Sequence, residues 1–249
     1  MNIEDVISHL GEVIAWARAN NSPVGYFPAL YRSVTIRVSE GIRNGDFAGG
    51  PRMAELDAVF AARYLDAFAG WRTGKPISKS WKKAFDEGAN PSLLISQHLL
   101  AGINAHINLD LGIAAAEIAP GEAINGLEGD FSFINQILSS MVDGVENDLS
   151  KVSPWMGLLD FFGGKGDEEI VNFSIGKARK WAWTFAQRMA VLDAEGQAAL
   201  IAQVDAETEQ LCHLVVNPPG LLLSTALFVV RQREEGSVAR IIDVLNGVG

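Results

Sequence analysis

Apolar residues recur every three or four positions through almost the whole chain, whereas alternating apolar and polar runs and hairpin dipeptides are scarce. That period matches the 3.6-residue turn of a helix, so the pattern predicts an all-α multi-helix bundle of about eight to ten helices. Helices are expected first in the N-terminal segment before Pro23, second at 28–43 and third at 52–72, followed by 78–88 and 91–118, then from Asp130, over 153–162, 167–192 and 196–216, and finally from Leu221 and Ser237. The longest apolar run, 91–118, is interrupted only by a few polar residues, and Pro91 suits a first helical turn. It predicts a central helix buried on most sides, with the rest of the bundle built around it. With 249 residues, 48% of them hydrophobic, and no long linker, the chain is expected to form a single domain spanning 1–249.

A turn of about 100° per residue sorts the polar groups of that central helix by face. Gln97, Asn104 and Asn108 fall within about 40° of one another, while His106, Asp110 and Glu117 form a second group and His98 lies about 80° from His106. Two readings follow. In the structural one, Asn104 and Asn108 bond neighbouring helices, His106 pairs with Asp110, and His98 is a satisfied core histidine. In the functional one, His106 and Asp110, one turn apart, supply an imidazole and a carboxylate to a divalent metal, with Asp57 or Glu117 as third ligand. A metal-free version makes His106 a general base oriented by Asp110, with His98 or Tyr64 as acid and Arg32 or Arg63 holding an anionic group. His98 and His106 stand roughly 12 Å apart along the axis and do not easily share an ion.

The earlier helices add to this set. Tyr31, Val34, Val38 and Ile42 share an apolar face, with Arg32 about 100° round from Tyr31. In the next helix Leu56, Phe60, Tyr64, Ala67 and Trp71 form a stripe, and Asp57, seven residues before Tyr64, falls beside it. A buried carboxylate without a partner costs several kcal/mol, so Asp57 is expected to have a cation, a metal or several donors at hand. The lysines of 78–88 suggest a solvated face.

Charge and composition narrow the classes. The formal net charge of -10 argues against a surface that holds nucleic acid. The acidic, amphipathic N-terminus lacks the basic start and short apolar core of a secretory signal. LLLSTALFVV, starting at Leu221, is about half of the ~20 residues that a transmembrane helix needs. The one cysteine, Cys212, has no partner for an intramolecular disulfide. The expectation is a cytoplasmic protein without a transmembrane segment. Gly163, Gly164 and Gly166 flank Lys165 without the spacing of a phosphate-binding loop, and read as a hinge before an N-cap at Asp167. Trp181, Phe185 and Met189, at four-residue spacing, read as core packing; Asp143 and Glu146 read as surface groups. Cys212 and His213 are sequence neighbours that point about 100° apart on a helix, which argues against a Cys/His catalytic pair.

Three separated blocks, LYRSVT from Leu30, LDAVFAARYLDAF from Leu56 and HLLAGINAHINLDLGIA from His98, together resemble a bacterial family of functionally uncharacterised proteins, a domain of unknown function. The resemblance covers the first half of the chain well and the second half poorly. It implies a shared helical domain, and it places Tyr31, Arg32, Asp57, Arg63, Tyr64, His98, Asn104, His106 and Asp110 at motif positions without implying an activity.

The resulting expectation is a helical, hydrolase-like enzyme whose pocket is walled by the second, third and central helices. His98, His106, Asp110 and Asp57 would be catalytic, while Tyr31, Arg32, Arg63, Tyr64, Asn104 and Asn108 would bind a small-molecule ligand. The competing expectation is a non-catalytic ligand-binding or scaffold protein, whose buried polar residues fix helix register.

Overall fold

The computed structural model describes residues 1–150, 153, 175–234 and 236–247. Among these residues the chain forms helices and no strand: α1 (Ile3–Ala19), α2 (Tyr26–Asn44), α3 (Gly50–Thr73), α4 (Lys79–Glu87), α5 (Ile95–Ile118), α6 (Glu128–Ser150), α7 (Ile175–Ala190), α8 (Ala194–Val216), α9 (Leu221–Arg231) and α10 (Val238–Leu245). The fold is all-α, as the hydrophobic period predicts. The expected helix at 153–162, the glycine hinge with Asp167, and the side chains of Asp143 and Glu146 lie outside the described residues.

Helix α5 is the axis of the bundle. By length and composition alone it could cross a membrane, but 89% of its apolar window is buried inside the protein, the position of a core helix. Its N-terminal half packs on α2, α4 and α8, and its C-terminal half on α3 and α7. Two of its glycines permit the closest approaches. A Cβ on Gly102 would lie 2.5 Å from the Phe27 ring, and one on Gly112 would lie 2.3 Å from the Phe185 ring and 3.0 Å from the Ala182 carbonyl. Glycine inside a helix costs about 1 kcal/mol relative to alanine, and here it lets α2 and α7 seat their aromatic rings against the axis.

Two features of α5 depart from the sequence expectation. The helix begins at Ile95 rather than Pro91, because the Asn90 side chain accepts the Ser92 N–H at 3.1 Å and turns the chain there. The other is a π-helical turn, His106–Leu111, within the run. One extra residue in a turn sets the following face back by about 100°. Glu117, grouped with His106 and Asp110 on an ideal helix, is accordingly exposed.

The sequence does not show how several of these helices are capped. Gly49 and Leu94, at the N-caps of α3 and α5, make no side-chain cap bond. Distant carboxylates take that role, since the first N–H groups of a helix need acceptors. Asp130 accepts the Ala48 and Gly49 N–H groups, both at 2.9 Å, and Glu234 accepts the Ile95 N–H at 3.1 Å. Asp205 of α8 similarly accepts Lys79 N–H at 2.8 Å, Ser80 N–H at 2.9 Å and the Ser80 hydroxyl at 2.7 Å, securing α4. Each bond joins parts of the chain more than 80 residues apart.

Candidate functional site

Helices α2, α3, α4 and the π turn of α5 enclose a buried aromatic cluster centred on His106. The imidazole lies flat on Phe60, with ring centroids 3.5 Å apart at 11°, and meets Tyr31 edge-on at 4.4 Å. Phe27, at 5.3 Å, and Trp81, at 6.2 Å, complete the wall together with Tyr64. Asp57, Phe60 and Tyr64 are brought to one side because they stand three and four residues apart on α3.

Asp110 shares this neighbourhood but is fully engaged. Its Oδ1 accepts Arg63 Nε–H at 2.9 Å and its Oδ2 accepts Trp81 Nε1–H at 2.7 Å. The His106 Nδ1 lies 3.8 Å from Asp110 Oδ2, beyond hydrogen-bond range. The bonds that hold the carboxylate are thus those from Arg63 and Trp81, while His106, expected to be oriented by Asp110, faces it at 3.8 Å and is packed among rings. The expected anion-holding role of Arg63 changes too, because its Nε is committed to Asp110.

The remaining polar atoms in the cluster have no partner. Both ring nitrogens of His106, the hydroxyls of Tyr31 and Tyr64, and Asp57 Oδ2 are buried without a hydrogen bond. These five are most of the unpartnered buried side-chain polar atoms found among the described residues: two belong to the His106 ring, two to the tyrosines beside it, and Asp57 stands near Tyr31. Burial acts on each in the direction that removes charge. It pushes the Asp57 carboxyl up to about 7 and both tyrosines well above the usual phenol range. His106 is lowered, mainly by burial and further by Arg63, with Asp110 opposing the shift. The site is thus an aromatic chamber of neutral donors and acceptors, one of which titrates near neutrality. Arg63, with 30% of its side chain exposed, and the half-buried Phe60 lie at the chamber's outer edge.

Other expected site residues lie elsewhere. The Arg32 Nε–H donates to the Ile7 carbonyl and its Nη1 to Asn246 Oδ1, both at 3.2 Å, so it joins α1 and the turn after α10. Asn104 donates to the Thr208 carbonyl of α8 and accepts from Asn108, both at 2.8 Å; Asn104 ties α5 to α8, and Asn108 supports it from one turn further along α5. His98 packs edge-on against Tyr26, with centroids 5.7 Å apart, and borders a separate cleft. The Cys212 thiol is buried and pushed up to about 12, while His213 is exposed, so the two form no catalytic pair.

The described residues contain no group of three or more metal-ligating side chains. Both Asp110 oxygens already accept N–H donors, and Glu117 is exposed. Among the described residues no third ligand therefore joins the expected His106–Asp110 pair. Sequence reasoning also missed the parts played by Phe27 and Trp81. The signal for Trp81 was its four-residue spacing from Phe85 on α4; both are buried while the lysines around them occupy the opposite face.

The chain belongs to the family described as Family of unknown function (DUF5995), which matches residues 3–218. No curated protein and no solved structure matches it. The three sequence blocks, and with them every residue of the His106 chamber, lie inside the matched region.

Proposed function

We propose that this member of the family binds a small, uncharged polar molecule at the His106 chamber and performs acid–base chemistry of a hydrolase-like kind on it. The observation that carries this reading is the concentration of five unpartnered buried polar atoms around one imidazole. An unsatisfied buried donor or acceptor costs about 1–3 kcal/mol, so several together oppose folding unless they serve another purpose. A π turn at the same place is a common companion of functional sites.

The chemistry follows from the charge states. Neutral His106 presents one donor and one acceptor, the two phenols present donors, and Asp57 at about 7 exchanges a proton near neutral pH. Such a set favours uncharged ligands, because a net charge enclosed by Phe27, Phe60 and Trp81 would be poorly solvated. His106 is the group to accept a proton from an attacking water, and protonated Asp57 the one to give its own proton to the leaving group; transfer of the proton from His106 to Asp57, through solvent, then restores both. Tyr31 and Tyr64 would donate to a developing oxyanion.

A structural role is the better reading for Asp110, Asn104 and Asn108, whose bonds are complete. The two assignments separate experimentally. Small molecules released by denaturing the purified protein would be identified by mass spectrometry, and a panel of small esters and amides assayed, for wild type, His106→Phe and Asp57→Asn. The expected result is a released compound or an activity that both substitutions abolish while the chain stays folded. Folded variants that retain the compound and the activity would refute the site.

A further inference from the structure

The cleft beside His98 lies at the other end of the same helix and has a different character. It has a volume of about 460 Å³ and lies among the loop after α1, the start of α5 and the α9–α10 connection, a size within the range of small-molecule sites. Leu93, Ile95, Val238 and Ile241 supply an apolar floor, and Tyr26 and His98 an aromatic side.

Among the described residues its charged groups are Arg231 and Glu234. Glu234 is occupied: its oxygens accept the Ile95 N–H at 3.1 and 3.2 Å, and Oε1 accepts the Ser153 hydroxyl at 2.7 Å. Arg231 is far less so. Its Nε–H donates to the Pro91 carbonyl at 2.9 Å, but Nη1 stands 3.8 Å from Glu234, and the side chain is 36% exposed. A carboxylate already committed to a helix N-terminus neutralises a nearby guanidinium incompletely, so the Nη groups, which meet Glu234 only at 3.8 Å, remain suited to an anion. Arg231 also contributes to lowering His98, whose pKa falls to about 4 mainly through burial. The cation and the neutral imidazole therefore face the same space.

We propose that this cleft binds a small amphipathic monocarboxylate, its carboxylate against Arg231 and its aryl or alkyl body against Tyr26, His98 and Val238. The single guanidinium lining the cleft among the described residues argues for one negative charge, and the apolar floor argues against a polyanion such as a nucleotide. None of these residues belongs to the His106 chamber, so this inference stands or falls separately from the function proposed there.

Phenylacetate and its uncharged counterpart 2-phenylethanol are suitable probes, with binding and the His98 pKa both followed by NMR. Phenylacetate is expected to bind at least about tenfold more tightly than the alcohol and to raise the His98 pKa, since a bound carboxylate offsets Arg231. Arg231→Met should remove that preference, Arg231→Lys should keep part of it, and Val238→Phe should block both compounds by filling the cleft in a folded protein. Equal binding of acid and alcohol, an unchanged preference in Arg231→Met, or no binding of phenylacetate or octanoate at millimolar concentration would each overturn the proposal.

Discussion

The two histidines of α5 stand in opposite environments. His106 is sealed among aromatic rings with both nitrogens unpartnered, whereas His98 borders an open cleft of about 460 Å³. Both imidazoles are held neutral chiefly by burial. Each also has a cation that lowers it further and a carboxylate that opposes the shift: Arg63 and Asp110 at His106, Arg231 and Glu87 at His98. The chamber lies wholly within the family match at 3–218, whereas the cleft also draws on Arg231, Glu234, Val238 and Ile241 beyond it. Ionisable groups on one apolar helix thus acquire separate roles according to what packs over them, and a shared helix does not make a shared site.

The largest test of this contrast is Asp110→Ala. It would leave Trp81 Nε1 without an acceptor in the core and free Arg63 from its ion pair. Removing one member of a buried pair costs about 3–5 kcal/mol, and the Trp81 Nε1–H left without an acceptor places this case at the upper end despite the route to solvent open to Arg63. Chemical denaturation would measure the loss; a change below about 1 kcal/mol would mean that Asp110 does not secure the chamber wall.

Asp57→Asn comes next, with its effect set by pH. The folded-state pKa of Asp57, about 7, lies above its ordinary value of 3.8, so the unfolded chain loses this proton first. The wild type should therefore lose stability as pH rises from about 4 to 7, by an amount on the order of 4 kcal/mol. The substituted chain should show a flatter profile and gain relative to wild type above pH 7. Parallel denaturation profiles for the two proteins would exclude a proton held in the chamber.

The smallest effect is expected for Tyr64→Phe. Deleting a buried hydroxyl that makes a hydrogen bond costs about 1 kcal/mol, but the Tyr64 hydroxyl makes none. The substitution should leave thermal stability unchanged or raise it slightly. A loss of 1 kcal/mol or more would show that the hydroxyl is engaged in solution, and would weaken the contrast between chamber and core.

Much of the fold was legible because helical period and turn chemistry are local properties. The positions of α2, α3, α4 and α8 follow from apolar spacing, and Asp57 could be placed beside a buried stripe by counting residues. The face analysis was reliable up to the π turn, then lost register: Glu117 falls with His106 only if every residue turns by about 100°. Local pattern also favoured Pro91 as a helix start, where an Asn90 turn and the distant Glu234 decide otherwise.

By itself, then, the sequence determined an all-helical chain, a buried axis at α5, and a surplus of ionisable residues on its neighbours, because hydrophobic periodicity is written residue by residue. Only the tertiary structure decided which of those residues meet. It gave Asp110 to Arg63 and Trp81, sent His98 and Arg32 to other surroundings, and left His106, Tyr31, Tyr64 and Asp57 with unpartnered atoms in one chamber. The physical reason is that hydrogen bonding and desolvation depend on groups brought together from distant parts of the chain, and no local period encodes which helices will touch.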